Sequence, residues 1–320
     1  MRIASLLAGG TELVCALGRG DSLVGRSHEC NEPSWVTSLP PLSRPTFDAR
    51  GTSAEIDRLV RQKLRAGQPL YALDHARLRE LEPDIVITQV HCEVCAVSPT
   101  NLDPAHGWPE LRGLRTVSMR GGSLEGILQD FQTVAAAIGS ADAGDRLIAS
   151  IRAGLGRWVE LLAGAKRPTV VCLEWTDPIF PMGNWGPELV DHAGGRCVLG
   201  NAREHSATAP WQAVIDADPD VLIVAPCGFG LDRAARDMPG LAARPGWSTL
   251  RAVRAGQVYV ADGDRYFNRS GPKVFDTIRI LAEILHPELV PGSSEGTLYR
   301  RFAAGGRSLS VGDPPVFSSK

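Results

Sequence analysis

A chain of 320 residues that is 43% hydrophobic and 22% charged is long enough for two domains and too apolar for a disordered, collagen-like or coiled-coil protein. Thirty-four Lys and Arg against 36 Asp and Glu leave a net charge of −2, which excludes the broad basic surface that nucleic acid or anionic lipid requires. The expected partner is therefore a small molecule, and no run of roughly 18 apolar residues is available to span a membrane.

In chain order, short apolar runs alternate with helical periodicity. The pattern predicts strand Ile3 to Leu7, helix Thr11 to Leu17, strand Leu23 to Arg26, helix Ser53 to Leu64, strand Pro69 to Leu73, helix Asp74 to Leu81, strand Asp84 to Thr88 and strand Thr116 to Met119. The longest helical tract runs from Ser123, a fair N-cap, to about Ala165, with Gly139 as its one break. After Pro168 come strand Thr169 to Leu173, helices Pro187 to Ala193 and Trp211 to Ala217, strand Val221 to Ala225, helix Leu231 to Leu241, strand Gln257 to Ala261 and helix Pro272 to Leu285. Such alternation predicts parallel sheets. The last thirty residues, rich in Gly, Ser and Pro, read as a loosely packed tail.

The two halves echo one another. Glu12-Leu-Val-Cys-Ala-Leu-Gly18 returns as Glu188-Leu-Val-Asp-His-Ala-Gly194, and Leu81-Glu-Pro-Asp-Ile-Val-Ile-Thr-Gln-Val-His-Cys92 returns as Ala217-Asp-Pro-Asp-Val-Leu-Ile-Val-Ala-Pro-Cys227. The offsets of 176 and 136 residues differ by 40, so the first half carries an insertion, placed around Pro40 to Leu73. The expected architecture is α/β, two Rossmann-like lobes with parallel central sheets joined by a long connecting helix. Its parts are an N-terminal lobe at 1–120, the connection at 121–166, a C-terminal lobe at 167–290 and the tail at 291–320.

Open parallel sheets bind ligands outside the carboxyl ends of their strands. The loops there are Ala8 to Thr11, Ser27 to Cys30, Gln89 to Cys95, Glu174 to Asp177, Pro226 to Phe229 and Asp262 to Ser270. Thr11, His28, Gln89 and Glu174 are candidate ligand contacts on these loops. Trp175, Trp185, Trp211, Phe229, Tyr266 and Phe267 offer flat apolar area for a bulky, partly apolar ligand, and Arg269 could meet a carboxylate, amide or phosphate. Ordinary packing is the competing reading for each ring.

Seven cysteines are an odd number in a chain able to bury its own core, so reduced thiols are expected. Cys92 and Cys95, with Cys30 and Cys227, could hold a zinc or iron ion, His28 being an alternative ligand and Glu93 or Glu174 a base; incidental thiols are the alternative. Cys15, Cys172 and Cys197 read as packing residues. No dinucleotide, P-loop or nucleophile-elbow motif is present, so no reaction is indicated and an enzyme is not expected. The opening Met1-Arg-Ile-Ala-Ser-Leu-Leu7 lacks the features of a secretory signal, which predicts a cytoplasmic chain, or a periplasmic one if a leader has been removed.

The order of these pieces over residues 2 to 287 resembles the substrate-binding proteins of bacterial ABC importers that carry vitamin B12, haem or siderophores between two lobes. The carriers of the resemblance are Arg2-Ile-Ala-Ser-Leu-Leu-Ala-Gly-Gly-Thr-Glu12, the two Pro-Asp-strand units, Pro210-Trp211 and Arg265-Tyr-Phe-Asn-Arg-Ser-Gly-Pro272. The loops His28-Glu-Cys30, Cys92-Glu-Val-Cys95, Cys172-Leu-Glu-Trp175 and Pro226-Cys-Gly-Phe229 look most like cobalamin-binding relatives. The resemblance implies cobalamin or a related corrinoid as ligand. It makes Trp211 and the Tyr266 to Arg269 loop corrin contacts, with Trp175 and Phe229 as neighbours. It also implies an ABC permease as partner, yet where the family carries a docking glutamate on each lobe this chain has Ala76 and Gln212. The alternative is a cytoplasmic metal- or thiol-dependent protein built on the same scaffold.

Overall fold

The computed structural model describes residues 1–90 and 114–303. In the first lobe, β1 (Ile3–Ser5), α1 (Ala8–Ala16) and β2 (Leu23–Arg26) form the opening unit. The chain then makes β3 (Ser43–Pro45), α2 (Ser53–Arg65), β4 (Tyr71–Leu73) and α3 (His75–Glu80) before β5 (Ile85–Gln89) and β6 (Arg115–Met119). The sheet order is β2-β1-β5-β6, all parallel. All five residues of β5 are buried, as an apolar strand covered on both faces must be.

The second lobe repeats this plan. It contains β7 (Thr169–Thr176), β8 (Ile179–Pro181), α6 (Gly186–His192), β9 (Arg196–Leu199), α7 (Trp211–Ala217), β10 (Val221–Val224), α8 (Leu231–Ala242), α9 (Arg251–Arg254), β11 (Val258–Ala261), α10 (Asp276–Leu285) and β12 (Tyr299–Arg301), after the helices α4 (Leu124–Ala137) and α5 (Ala141–Leu161). Strands β9, β7, β10 and β11 lie parallel in that order, matching β2, β1, β5 and β6. The sequence echoes are thus a repeated topology, with α1 and α6 as equivalent crossover helices.

Alternation along the strands sorts residues between cores. Ile3, Ile85 and Ile87 face a cluster that continues through Phe131 of α4 to Val170, Ile223 and Ile278, so one core runs through both lobes. The opposite face of the first sheet, Ala4 and Val86, packs with Leu6, Leu42 and Leu78. The opposite face of the second, Val171, Leu173, Leu222 and Val224, packs with Phe229, Met238, Leu241 and Trp247.

The tract from Ser123 is helical and breaks at Gly139, whose φ of +69° suits a glycine after a helix end. The Ser123 hydroxyl caps it, accepting from Gly126 N at 3.0 Å. The break is a reversal. Arg152 Nη2 lies 2.7 Å from Glu125, whereas a continuous helix would hold the two residues about 40 Å apart at about 1.5 Å per residue. The connection is therefore an antiparallel helical pair of which α5, with 21 residues, is the longer arm.

Further differences from the sequence reading involve short pieces. Residues 69–73 do not join the parallel sheet; β4 pairs antiparallel with β3 in a ribbon of their own, inside the expected insertion. Strands β3, β8, β9 and β12, of three or four residues, are additional to those expected from the sequence. The start of the expected tail is ordered: β12 adds antiparallel to β11, and buried Glu283 accepts bonds from Ser293 and Ser294.

Two glycines of α5 test the hairpin. A Cβ on Gly144 would stand 2.5 Å from the Ala135 Cβ, while one on Gly156 would meet nothing within 4 Å. In urea unfolding, Gly156→Ala is expected to stabilise by about 1 kcal/mol through helix propensity. Gly144→Ala is expected to destabilise by about 1–3 kcal/mol through overpacking.

Candidate functional site

The carboxyl ends of the parallel strands of both lobes meet at one cavity. Its wall includes Leu7 to Gly9 after β1, Glu29 after β2, Gln89 closing β5, Glu174 in β7, Met182 to Trp185 after β8, His205, Cys227 and Gly228 after β10, and Gly263, Asp264 and Phe267 to Ser270 after β11. The cavity measures about 80 Å³. Pockets for drug-sized ligands run to roughly 300–1,000 Å³, so the cleft is narrow.

An ion cluster across the lobes closes its base. Asp262 accepts from the backbone N–H groups of Asp264 and Arg265 at 3.0 and 2.9 Å, shaping the helical turn Gly263–Phe267 that leads to Arg269. The Arg269 guanidinium, 7% exposed, donates to Glu12 of α1 at 3.0 Å, to Asp264 at 2.6 Å and to the Glu29 carbonyl at 3.3 Å. Asn31 donates to the other Asp264 oxygen at 2.9 Å, and Lys273 pairs with Glu32 at 2.7 Å. Burial by itself would lower the Arg269 pKa; Asp264 and Glu12 more than offset it and hold the cation. Burial raises the Glu12 carboxyl and Arg269 pulls it back.

Backbone meets backbone beside this cluster. A Cβ on Gly9 would lie 2.8 Å from Gly271 N, and one on Gly271 would lie 2.8 Å from both Gly9 Cα and Glu12 Oε2. Only paired glycines permit that approach.

A second contact across the lobes comes from the insertion. Ser53, at the start of α2, donates its hydroxyl to Asp237 of α8, which also accepts from Thr176 at 3.0 Å. Trp175 Nε1 donates to the Ser53 carbonyl at 3.1 Å. Arg233 reaches the carbonyls of Ala49 and Gly51, and its guanidinium lies 3.7 Å from the centre of the Phe229 ring. Ile56 of α2 completes the outer core of the second lobe.

Gln89, Glu174, Trp185, Phe267 and Arg269 line the cavity, as does Cys227. Trp185 and Phe267 contribute wall area while remaining tied into the core, since Trp185 Nε1 donates to the Phe267 carbonyl at 2.8 Å. The other candidates are committed elsewhere. Trp175 and Phe229 pack edge to face in the second contact across the lobes. Trp211 stacks on Trp247 with centroids 6.2 Å apart and donates to Pro245. Tyr266 lies under Lys273 rather than on the cavity wall. His28 is held by the Ser43 hydroxyl at 2.8 Å against Tyr71, and burial, with Arg26 nearby, pushes its pKa down to about 4. Thr11 donates to the Cys30 sulfur at 3.0 Å in the core.

The expected metal set is not assembled by the described residues. Burial raises the Cys30 thiol, keeping it protonated, and Cys30 faces Thr11 and Ser27 rather than the cleft where Cys227 lies. Cys92 and Cys95, with His91 and Glu93, lie outside the described residues. Among the described residues, no group of three or more His, Cys, Asp or Glu side chains could hold a metal ion. Ala76 and Gln212 are exposed at the first turns of α3 and α7.

Several wall residues escaped the sequence reading. Glu29 stands between His28 and Cys30, which drew attention by residue type. Asp264 belongs to a loop already singled out, and Asn184 follows the unread strand β8. The available signal was Glu12, a charge inside an otherwise apolar helix. Partial burial at the cavity, with the side chain still 39% exposed, pushes the Glu29 carboxyl up to about 7; Arg269 pulls it down and Asp264 pushes it up.

A sequence model of the periplasmic binding protein family matches residues 73–264, more than half of the chain. The chain belongs to this family. Its members are solute-binding proteins rather than enzymes, and they are periplasmic. Among solved structures, the chain is similar to a periplasmic heme-binding protein from Pseudomonas aeruginosa, at 20% identity and a TM-score of 0.67, over 89% of this chain and 92% of the other. It is similar to the periplasmic heme-binding protein of Roseiflexus sp. RS-1 at 23% identity and a TM-score of 0.65, over 90% and 98%. It is also similar to the periplasmic vitamin B12-binding protein of Vibrio cholerae at 18% identity and a TM-score of 0.62, over 89% and 96%. At these identities the likeness is one of fold. No curated protein matches the chain by sequence. Among the described residues, no helix is long and apolar enough to cross a membrane.

Two outcomes follow for the cluster. Arg269→Ala strands two carboxylates, Glu12 and Asp264, and is expected to cost about 3–5 kcal/mol in denaturant unfolding. For Glu29, the folded carboxyl binds protons more tightly than its ordinary value of 4.5, so its contribution to stability falls as pH rises from about 4.5 to about 7. In calorimetry, Glu29→Gln should therefore melt higher than the parent at about pH 8 and alongside it at about pH 4.

Proposed function

We propose that this protein is the solute-binding component of an ABC-type importer, working in the periplasm with a permease, and that its solute is a metal complex, with cobalamin or a related corrinoid the first to test. The observation that carries the reading is the convergence of both parallel sheets, carboxyl ends inward, on a single cavity between the lobes of a periplasmic binding protein. Heme, vitamin B12 and a nickel–histidine complex are named for neighbours of the same fold.

The narrow cavity favours a compact complex, and a corrin needs more room than its volume of about 80 Å³. Trp185 and Phe267 supply its apolar wall. Delivery on this reading does not use the family's paired glutamates, because exposed Ala76 and Gln212 stand at those positions.

The test is a titration of the purified protein with hydroxocobalamin, hemin and a ferric hydroxamate, followed by tryptophan fluorescence, since Trp185 lies on the wall. Saturable one-to-one quenching by at least one of them is expected, and hydroxocobalamin decides the corrinoid part. No quenching by any of the three in a folded sample overturns the metal-complex reading.

A further inference from the structure

We propose that the cleft selects compact, positively charged metal complexes over anionic ones, and holds them through hydrogen-bond donors on their periphery. The inference rests on the solute-binding reading and adds the charge and size class of the solute.

Charge is the first argument. Among the described residues, Glu29 and Asp264 line the cavity beside one guanidinium, Arg269, with Glu12 behind it. That guanidinium is already shared between Asp264 and Glu12, so it has little charge left for an anion. In a narrow cleft between low-dielectric walls, such an imbalance is focused rather than screened.

Hydrogen-bonding capacity is the second and independent argument. Asn184 lines the cavity, is 8% exposed, and its Oδ1 has no partner among the described residues. It is held in place at a φ of +50° because its backbone N–H donates to Glu204 and its carbonyl accepts from Arg203, at 2.7 and 2.8 Å. This unmatched atom is an acceptor. Buried polar groups are normally satisfied, so what completes this wall is a ligand carrying a donor at that point and positive charge toward the carboxylates.

Size is the third: the cavity of about 80 Å³ favours a small complex.

Hexaamminecobalt(III) and hexacyanocobaltate(III) are both compact, octahedral and inert to ligand exchange; the first is tripositive with N–H groups outward, the second trinegative with acceptors outward. Calorimetric titration of the full chain at about pH 8, where Glu29 is ionised, should show saturable one-to-one binding of the cation and none of the anion. Glu29→Gln, which preserves shape, and Asn184→Gly, which tolerates the backbone angle, should each weaken the cation by at least about tenfold, the scale of one charge-assisted hydrogen bond. Glu288→Gln, at an exposed carboxylate outside the cleft, should leave it unchanged. Melting curves establish that the variants are folded.

Binding of the anion as tightly as the cation, cation binding indifferent to both cleft variants, or binding of neither ion overturns the proposal. Saturable binding of hydroxocobalamin or hemin alongside any of these outcomes leaves the solute-binding reading standing. Absence of every ligand removes both.

Discussion

A guanidinium that cannot give up its proton must keep a carboxylate when it is buried. Arg269 meets that constraint with one carboxylate from its own lobe, Asp264, and one from the other lobe, Glu12. The position of the lobes is thereby tied to an electrostatic requirement. The Gly9–Gly271 approach is what lets α1 come near enough for Glu12 to serve. Separating the lobes here would strand a buried charge on each side, whereas a surface ion pair could part at little cost.

The remainder of the cleft follows from this arrangement. The turn at Gly263–Phe267 that presents Arg269 also brings Asp264 and Phe267 to the cavity, and the Glu29 carbonyl is recruited as a third acceptor, which holds Glu29 at the cavity wall. The insertion supplies the second tie through Ser53 and Asp237, and it occupies the rings of Trp175 and Phe229. Two separate contacts and a core shared through Phe131 make the lobes one mechanical unit. The cavity is narrow because both contacts are made at once.

Much of the architecture was legible in the residues. The echo of Leu81 to Cys92 in Ala217 to Cys227 locates the central strands β5 and β10, since a strand buried on both faces must be continuously apolar and a Pro-Asp turn must precede it. The unequal offsets place an insertion where β3, α2 and β4 are found. Gly139 marks the break between α4 and α5, although a glycine marks only an end and the direction taken afterwards depends on what each helix packs against. The site was legible as a set of loops and much less as a set of side chains. Aromatic and cysteine residues drew the reading by type, yet Trp211, Trp175 and Cys30 spend their capacity on Trp247, Ser53 and Thr11.

What the sequence determined by itself is the order of apolar strands and amphipathic helices, and through it two parallel sheets with their carboxyl ends available to a ligand, because strand burial and helix periodicity are local properties of composition. Which side chains reach the cavity was decided only by the tertiary structure. Glu29, Asn184 and Arg269 lie 85 to 240 residues apart, and the charge state and unmet hydrogen bonds of such a set exist only after the lobes have come together.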